Sequence, residues 1–581
     1  MSSPPPPPIG RRLGRIVTRF RAPRATPGAA GVASGRRPGF ALPARVRPGI
    51  PAAPVANARI PGAATAPARP PVASRLDRVL AIDTLLMLSL FTALASIRLG
   101  TPIGDPDLGW HLAAGRHMLD AGALPRVDVF SYVAQGRPWL VYSWLPEVLF
   151  AAIERALGPG ALIVTATMLV VATFAIVLRS CLGAGARPAV AVAATSFAAA
   201  VAMPTWTVRP HLFSFLFVAA VAHILALVDR SATGTPADDW PPRRVWLLVP
   251  IMALWANTHV FFIYGLAVLA LYVLTDWRRW LWDGTARRVR WRPLVCLGAI
   301  LAALLVNPYG YRLLLHLGDL AGERTTFAMV SELQTPSLRH VHGKILTAFF
   351  FSIVFALTCS RAPRRPVELP TVLAFGLLAY GMARNMPFLA IVGAPILARH
   401  ADALLRPQAP CPPLSSARRR LHVACLAGIA AVIVTALCRS AVYPPARVMS
   451  RTRYPVEAVA YLNAQPPLGR LFNHFNWGGY LIAHLYPRYR VSIDGRTGVY
   501  GDEILRRYRA TQSLAPDWRR FLEECDPQVI LWRPNEPFVR AIELLPEWRR
   551  LYQDDVAVIF VREDATASGR VADPARAPSA S

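Results

Sequence analysis

Charge is scarce in this chain, and acid scarcer still. Of 581 residues only 17% are charged, against 54% hydrophobic, and 34 acidic side chains face 64 basic ones. A soluble domain carries about 25% charged residues, so an ordinary water-soluble protein is excluded. No acidic residue occurs before Asp77, and the seven cysteines form no Cys-x-x-Cys pair. The missing pairs exclude zinc-finger spacing. Cys181, Cys296, Cys359, Cys425 and Cys438 sit in or beside apolar segments, where a thiol acts as a small packing residue. What is present in excess is apolar sequence in long runs, such as Ala161–Leu178 and Leu421–Leu437, of membrane-spanning length. The net charge of +30 does not point to nucleic acid. Arginines stand in short clusters between apolar runs, as in cytoplasmic loops of membrane proteins, without the aromatic-interleaved basic face of a nucleic-acid binder.

The organisation along the chain follows from these runs. Residues 1–75 are rich in Pro, Ala and Arg, cannot bury a core and read as a disordered cytoplasmic tail. Spans are expected near Val79–Ile97, Ala161–Leu178, Pro188–Met203, His211–Val228, Pro293–Val306, Lys344–Leu357 and Leu421–Leu437. Val245–Thr275 is too long for one span, since a straight helix would reach about 46 Å against a core of about 30 Å. It breaks at Asn257-Thr258-His259 and has arginines at both ends (Arg243, Arg244, Arg278, Arg279), so it reads as a hairpin with both ends in the cytoplasm. Val367–Ala398 repeats the design with its apex at Arg384-Asn385, and the pair at 188–228 turns at Arg209-Pro210-His211. The count is eleven spans in a polytopic α-helical membrane protein, expected in the cell (inner/cytoplasmic) membrane with its N-terminus inside. Trp139–Leu157, interrupted by Glu147, Glu154 and Arg155, reads as an interfacial amphipathic helix within a large first external loop, 98–160. Residues 440–565 read as a small extracytoplasmic α/β domain, with strands in 526–532 and 556–561 and a helix in 455–465. Residues 566–581 read as a second disordered tail.

Three groups of residues carry candidate chemistry. The first loop holds Asp105, Asp107 and His111 in Gly104-Asp105-Pro106-Asp107-Leu108-Gly109-Trp110-His111. Such a set can act as general base or hold a divalent cation (Mg or Mn); the plainer role for either Asp is to cap a helix starting near Leu108. Polar residues at the hairpin apices form the second group: Arg209 with His211, His259, and Arg384 with Asn385. An Asn there can simply satisfy backbone freed at a helix break. An Arg is costly at that depth unless it meets an anion, and its fork suits phosphate or carboxylate. The third group opens the outer domain: Trp477-Gly478-Gly479-Tyr480, then Asp494-Gly495-Arg496. Paired glycines let backbone approach a ligand while aromatic rings stack on a sugar, or they mark a turn among core aromatics.

These residues resemble the GT-C superfamily of membrane glycosyltransferases. The stretch DPDLGWHLAAGRHMLDAGALPRVDVFSY from Asp105 is similar to the first external loop of the oligosaccharyltransferase catalytic subunit, and FNWGGYLIAHLYPRYRVSIDGRT from Phe475 is similar in layout to that subunit's Trp-Trp-Asp-Tyr-Gly segment. The Asp of that motif is missing from Trp477-Gly478-Gly479-Tyr480, so peptide-sequon recognition does not carry over. The resemblance implies a polyprenyl-phosphate-linked sugar donor, a glycan, lipid or protein acceptor, and Asp105 or Asp107 as base or metal ligand. Two other readings stand beside it: a transporter or flippase of lipid-linked substrates, which would need a polar path through the membrane, and a non-catalytic assembly protein that binds through its outer domain.

Overall fold

A computed structural model describes residues 82–563 apart from 101–103, 232–241, 278–280, 284–287, 290, 323, 406–415 and 442–452. The two tails read as disordered lie outside the described residues. Six helices are long and apolar enough to cross a membrane: Ile82–Leu99, Gly160–Gly183, Pro188–Thr205, His211–Asp229, Val341–Cys359 and Ala383–Leu404. Shorter apolar helices cover Phe262–Thr275, Trp291–Ala303 and Glu368–Gly381. The chain is thus a multi-pass, mostly helical membrane protein; each of the eleven expected spans falls on a helix, and six of these helices are long and apolar enough to cross a membrane.

The hairpin expected over 245–275 is two helices, Leu248–Ala256 and Phe262–Thr275, broken where the sequence turns polar. Asn257 closes the break: its amide donates to the carbonyls of Ala253 (2.8 Å) and Val306 (2.6 Å). Asn385 does the same at the break between Glu368–Gly381 and Met386–Leu404, donating to the Leu378 carbonyl (3.0 Å) and accepting from the Tyr264 hydroxyl (2.6 Å). Both asparagines serve the backbone, as helix breaks in an apolar setting require.

Two apolar cores divide the chain. One runs through the helix bundle. The other joins residues 454–561 to part of the first loop, with Trp110, Ala114, Phe130 and Trp139 among its members. The C-terminal region carries a four-stranded sheet of β1 (Leu471–Asn473), β2 (Val529–Trp532), β3 (Trp548–Gln553) and β4 (Val558–Arg562). The order is β1-β2-β4-β3, with β1 parallel to β2 and the other pairs antiparallel. β2 is buried at every position, which explains its unbroken apolar sequence. The first loop is stitched to this unit by a bridge between Ser131 and Val491 and by the buried pair Arg496–Asp128 (2.6 Å). Loop and C-terminal region therefore share one core, which brings Asp105 and Asp107 beside the Trp477 segment.

Candidate active site

The acidic loop is shaped by its own backbone. Asp105 Oδ1 accepts from the Asp107 amide (2.9 Å), a turn that presents both carboxylates side by side. The helix Leu108–Ala121 starts next, with Asp107 at its N-cap position but making no side-chain cap bond. The capping role open to Asp107 in the sequence is not the one it takes. Both carboxylates instead meet Arg209, from the apex between Pro188–Ala202 and His211–Ser231. Its Nε pairs with Asp105, its Nη2 lies 3.1 Å from Asp107, and its Nη1 lies 3.2 Å from Glu332. Glu332 also binds Arg384 from the next apex (3.0 Å). One chain of charge thus runs Asp105/Asp107–Arg209–Glu332–Arg384, joining the first loop, two helix breaks and the loop before Val341. Arg384 also stacks over Phe261, 6.0 Å from the ring centre, which ties in the third break.

The cluster is electrostatically uneven. Burial pushes Asp107 up to about 6; Arg209 opposes this, and the neighbouring Asp105 and Glu332 add to it. Glu332 goes the other way. Burial alone would raise it, but Arg209 and Arg384 together hold it down to about 2. The Asp105 side chain is 1% exposed and that of Asp107 21%. Asp105 is therefore the more deeply committed to the guanidinium, and Asp107 is the more exposed of the two.

A cavity of about 750 Å³ opens on the cluster, lined by Asp105, Arg209, Glu332, Arg453, Tyr454 and Trp477, among others. Of the residues singled out from the sequence, Asp105, Arg209 and Trp477 line it, and Asp107 and Arg384 are joined to it through Arg209 and Glu332. Trp477 is almost wholly buried, its indole donating to the Arg453 carbonyl (2.9 Å), so it forms a wall rather than an open stacking platform. Tyr480 lies stacked on Tyr454, 4.8 Å between ring centres, and it is Tyr454 that faces the cavity. His111 is turned away from it. The ring stacks on Trp110 (3.6 Å) and Nδ1 lies 2.9 Å from Glu147, both partners buried. Burial drives Glu147 up and His111 down, so this pair is held neutral and fastens two loop helices together. His211 meets the Thr205 carbonyl (2.8 Å), and His259 accepts from the Phe261 amide (3.3 Å); their rings lie 6.4 Å apart behind the cluster.

Asp494 and Arg496 are paired with one another. Asp494 is fully buried, its oxygens taken by Arg496 (2.7 Å) and the Tyr500 hydroxyl (2.6 Å). That network places Gly495, and here a glycine is required. A Cβ at Gly495 would run into the Asp107 carboxylate. At Gly479 it would strike the Pro106 carbonyl, and at Gly109 the Gly479 carbonyl. Of the paired glycines read as room for a ligand, Gly479 makes room for the acidic loop and Gly478 for the Ile493–Asp494 backbone. Gly495→Ala is therefore expected to displace Asp107, lowering transfer at least tenfold and shifting the acid limb of the pH–rate profile. A wild-type rate and profile in that variant would show that Gly495 does not set the carboxylate.

Glu332 was not legible in the sequence. It stands alone in a loop with no motif around it; its one signal is that two apex arginines need an anion. The divalent cation suggested by the acidic pair would have to share the two aspartates with Arg209. Among the described residues no group of three His, Cys, Asp or Glu side chains is placed to hold a metal, and the guanidinium of Arg209 sits where the two aspartates would share one.

No family model matches the chain, and no curated protein matches it. Solved structures do. One is ArnT from Cupriavidus metallidurans, at 14% identity and TM-score 0.48, over 84% of this chain and 99% of that one. Another is the archaeal oligosaccharyltransferase AglB from Archaeoglobus fulgidus in complex with an inhibitory peptide and a dolichol-phosphate, at 11% identity and TM-score 0.47, over 77% and 69%. The same archaeal enzyme is also described in complex with Zn and sulfate (12%, TM-score 0.43, 77% and 68%). The arabinofuranosyltransferase AftD from Mycobacteria follows at 15% and TM-score 0.44, over 82% and 40%. Two of these neighbours are named as an oligosaccharyltransferase and an arabinofuranosyltransferase. Similarity at this level carries no argument, and the functional case rests on the site.

Proposed function

We propose that this protein is a membrane glycosyltransferase that moves a sugar from a polyprenyl-phosphate-linked donor to an acceptor on the outer face of the membrane. The observation that supports this best is the placement of Asp107, a partly exposed carboxylate raised to about 6 and held by Arg209, which with Asp105 lines a cavity of about 750 Å³. A base with that value is ionised near neutrality yet still strong enough to draw a proton from a hydroxyl. The donor class follows from the sequence resemblance.

In the reaction proposed, Asp107 takes the proton of an acceptor hydroxyl. The acceptor oxygen attacks the anomeric carbon and forms the new glycosidic bond. The bond from that carbon to the phosphate oxygen breaks, and the lipid phosphate leaves with the electron pair. Arg209 keeps Asp107 oriented and offsets part of the negative charge gathered there. No step needs a metal, so transfer is expected to persist in chelator. The test is reconstitution of the purified protein with a polyprenyl-phosphate-linked sugar and envelope glycans, followed by mass spectrometry. Release of polyprenyl phosphate together with a glycan heavier by one sugar supports the reading. Sugar-lipid that crosses the vesicle unchanged would instead identify a flippase.

A further inference from the structure

A smaller cavity lies at the far end of the helix bundle from the acidic loop. Met386–Leu404 begins beside Arg384 and brings Ile391, Pro395 and Arg399 to its wall; Phe262–Thr275 begins after His259 and brings Val268 and Tyr272. Arg384 and Arg399 are thus about 20 Å apart along the chain of helical turns, at a rise of about 1.5 Å per residue. The space is about 60 Å³, and Ala184, Ala219, Ala222 and Ala226 also line it. One water needs about 10–15 Å³ of such space, so a few methylene groups fit and a sugar ring does not.

One polar group on its wall is unanswered. Thr371 is 7% exposed, lines the cavity and makes no side-chain hydrogen bond among the described residues. Other buried threonines of the bundle turn the hydroxyl back on the carbonyl four residues earlier, as Thr167 (2.7 Å), Thr173 (2.8 Å) and Thr195 (2.7 Å) do. A bilayer core supplies no water to stand in, so the Thr371 hydroxyl needs a partner brought from elsewhere.

The mouth of the cavity is fixed and basic. Residues 360–367 are lashed to Met386–Leu404: Arg399 meets Glu368 and the Pro363 carbonyl (both 2.6 Å), and His400 lies between Ser360 (2.6 Å) and Glu368 (3.1 Å). Glu368 is occupied by Arg399, His400 and the Arg365 amide (2.8 Å). Arg365 lines the mouth and lies 3.5 Å from Asp229. Arg361 and Arg364, exposed in the same loop, have no carboxylate partner among the described residues. This is the end of the bundle that the arginine clusters assign to the cytoplasm, and basic pockets between spans on that side suit anionic lipid heads.

We propose that this cavity binds an anionic glycerophospholipid of the cytoplasmic leaflet. A segment of acyl chain fills the alanine-lined slot, an ester oxygen accepts from the Thr371 hydroxyl, and the phosphate meets Arg365, with Arg361 and Arg364 adding attraction. Thr371 stands about one helical turn in from Glu368, which suits an ester held just below a head group at the mouth. A free phosphate would leave both the slot and Thr371 unfilled. The site is separate from the transfer reaction, whose residues lie at the other ends of the same helices.

The test is native mass spectrometry of the full-length protein in detergent with phosphatidylglycerol, phosphatidylcholine or polyprenyl phosphate added. The wild type is expected to retain one phosphatidylglycerol at a concentration at least tenfold below that needed for phosphatidylcholine. The Thr371→Val/Arg365→Gln pair is expected to weaken that retention at least tenfold. Its unfolding temperature without lipid should stay near the wild-type value, since a partly exposed contact such as Arg365–Asp229 contributes little to the fold. Equal retention of the two phospholipids by the wild type overturns the proposal, as does unchanged retention by the folded pair. Displacement of phosphatidylglycerol by polyprenyl phosphate at equal concentration also overturns it, because the cavity then belongs to the donor. Should the pair unfold early, Ala222→Leu, which fills the slot without touching the mouth, must weaken retention on its own; unchanged retention in that variant overturns the proposal as well.

Discussion

Asp107→Asn is expected to abolish sugar transfer, by a factor of a hundred or more, while the protein still inserts and unfolds near the wild-type temperature. The amide keeps the shape of the carboxylate and cannot take a proton, and general-base catalysis contributes roughly 10²–10⁴-fold. The fold should tolerate the change because Asp107 is the half-open member of its pair and caps no helix. The companion result is a pH profile. Asp107 acts as its ionised form, and burial raises it to about 6. kcat/KM should therefore be level above that value and fall tenfold per pH unit below it. Asp105→Asn should behave differently. Asp105 is buried against Arg209, so its loss should reduce activity by lowering the amount of well-placed Asp107, with the acid limb displaced. Equal, full activity of both variants would remove the catalytic assignment from this loop.

How much of this could be read from the chain alone depends on the length scale of the signal. Helix breaks at Asn257 and Asn385 were legible because polar residues within apolar runs have few other uses, and both asparagines satisfy freed carbonyls. The acidic loop stood out because acid is rare in this chain. What stayed hidden depends on long-range packing. Nothing local marks Glu332 as the partner of Arg209 and Arg384. Gly478, Gly479 and Gly495 announce a close approach but not what approaches; a ligand and the loop around Asp107 leave the same trace in sequence. His111 and Asp494 carry chemistry-capable groups that prove to be consumed by internal partners, Glu147 and Arg496. A helix lies over each expected span, but several apolar runs are cut short at polar breaks, giving the half-length helices Leu248–Ala256, Phe262–Thr275 and Glu368–Gly381.

Replacing Arg209 by Met should be the most damaging change to stability. The guanidinium is 7% exposed and faces Asp105, Asp107 and Glu332. Its loss leaves buried carboxylates without a counter-charge, and breaking a buried pair from one side costs about 3–5 kcal/mol. Arg209→Lys should be only partly better, because a single ammonium cannot reach three carboxylates held on separate segments by a fork. The sign of the effect can be checked with a second substitution. Asp105→Asn placed on Arg209→Met removes the most buried of the unpaired charges, so the double variant should be more stable than Arg209→Met alone, while remaining inactive because Asp107 has lost its anchor. Unfolding of the four proteins in detergent, read as a double-mutant cycle, should show a coupling of roughly 1–3 kcal/mol between the two positions. Additive effects would mean that Arg209 and Asp105 do not act as a pair, and the orientation of Asp107 would then have to come from the Gly495 backbone alone.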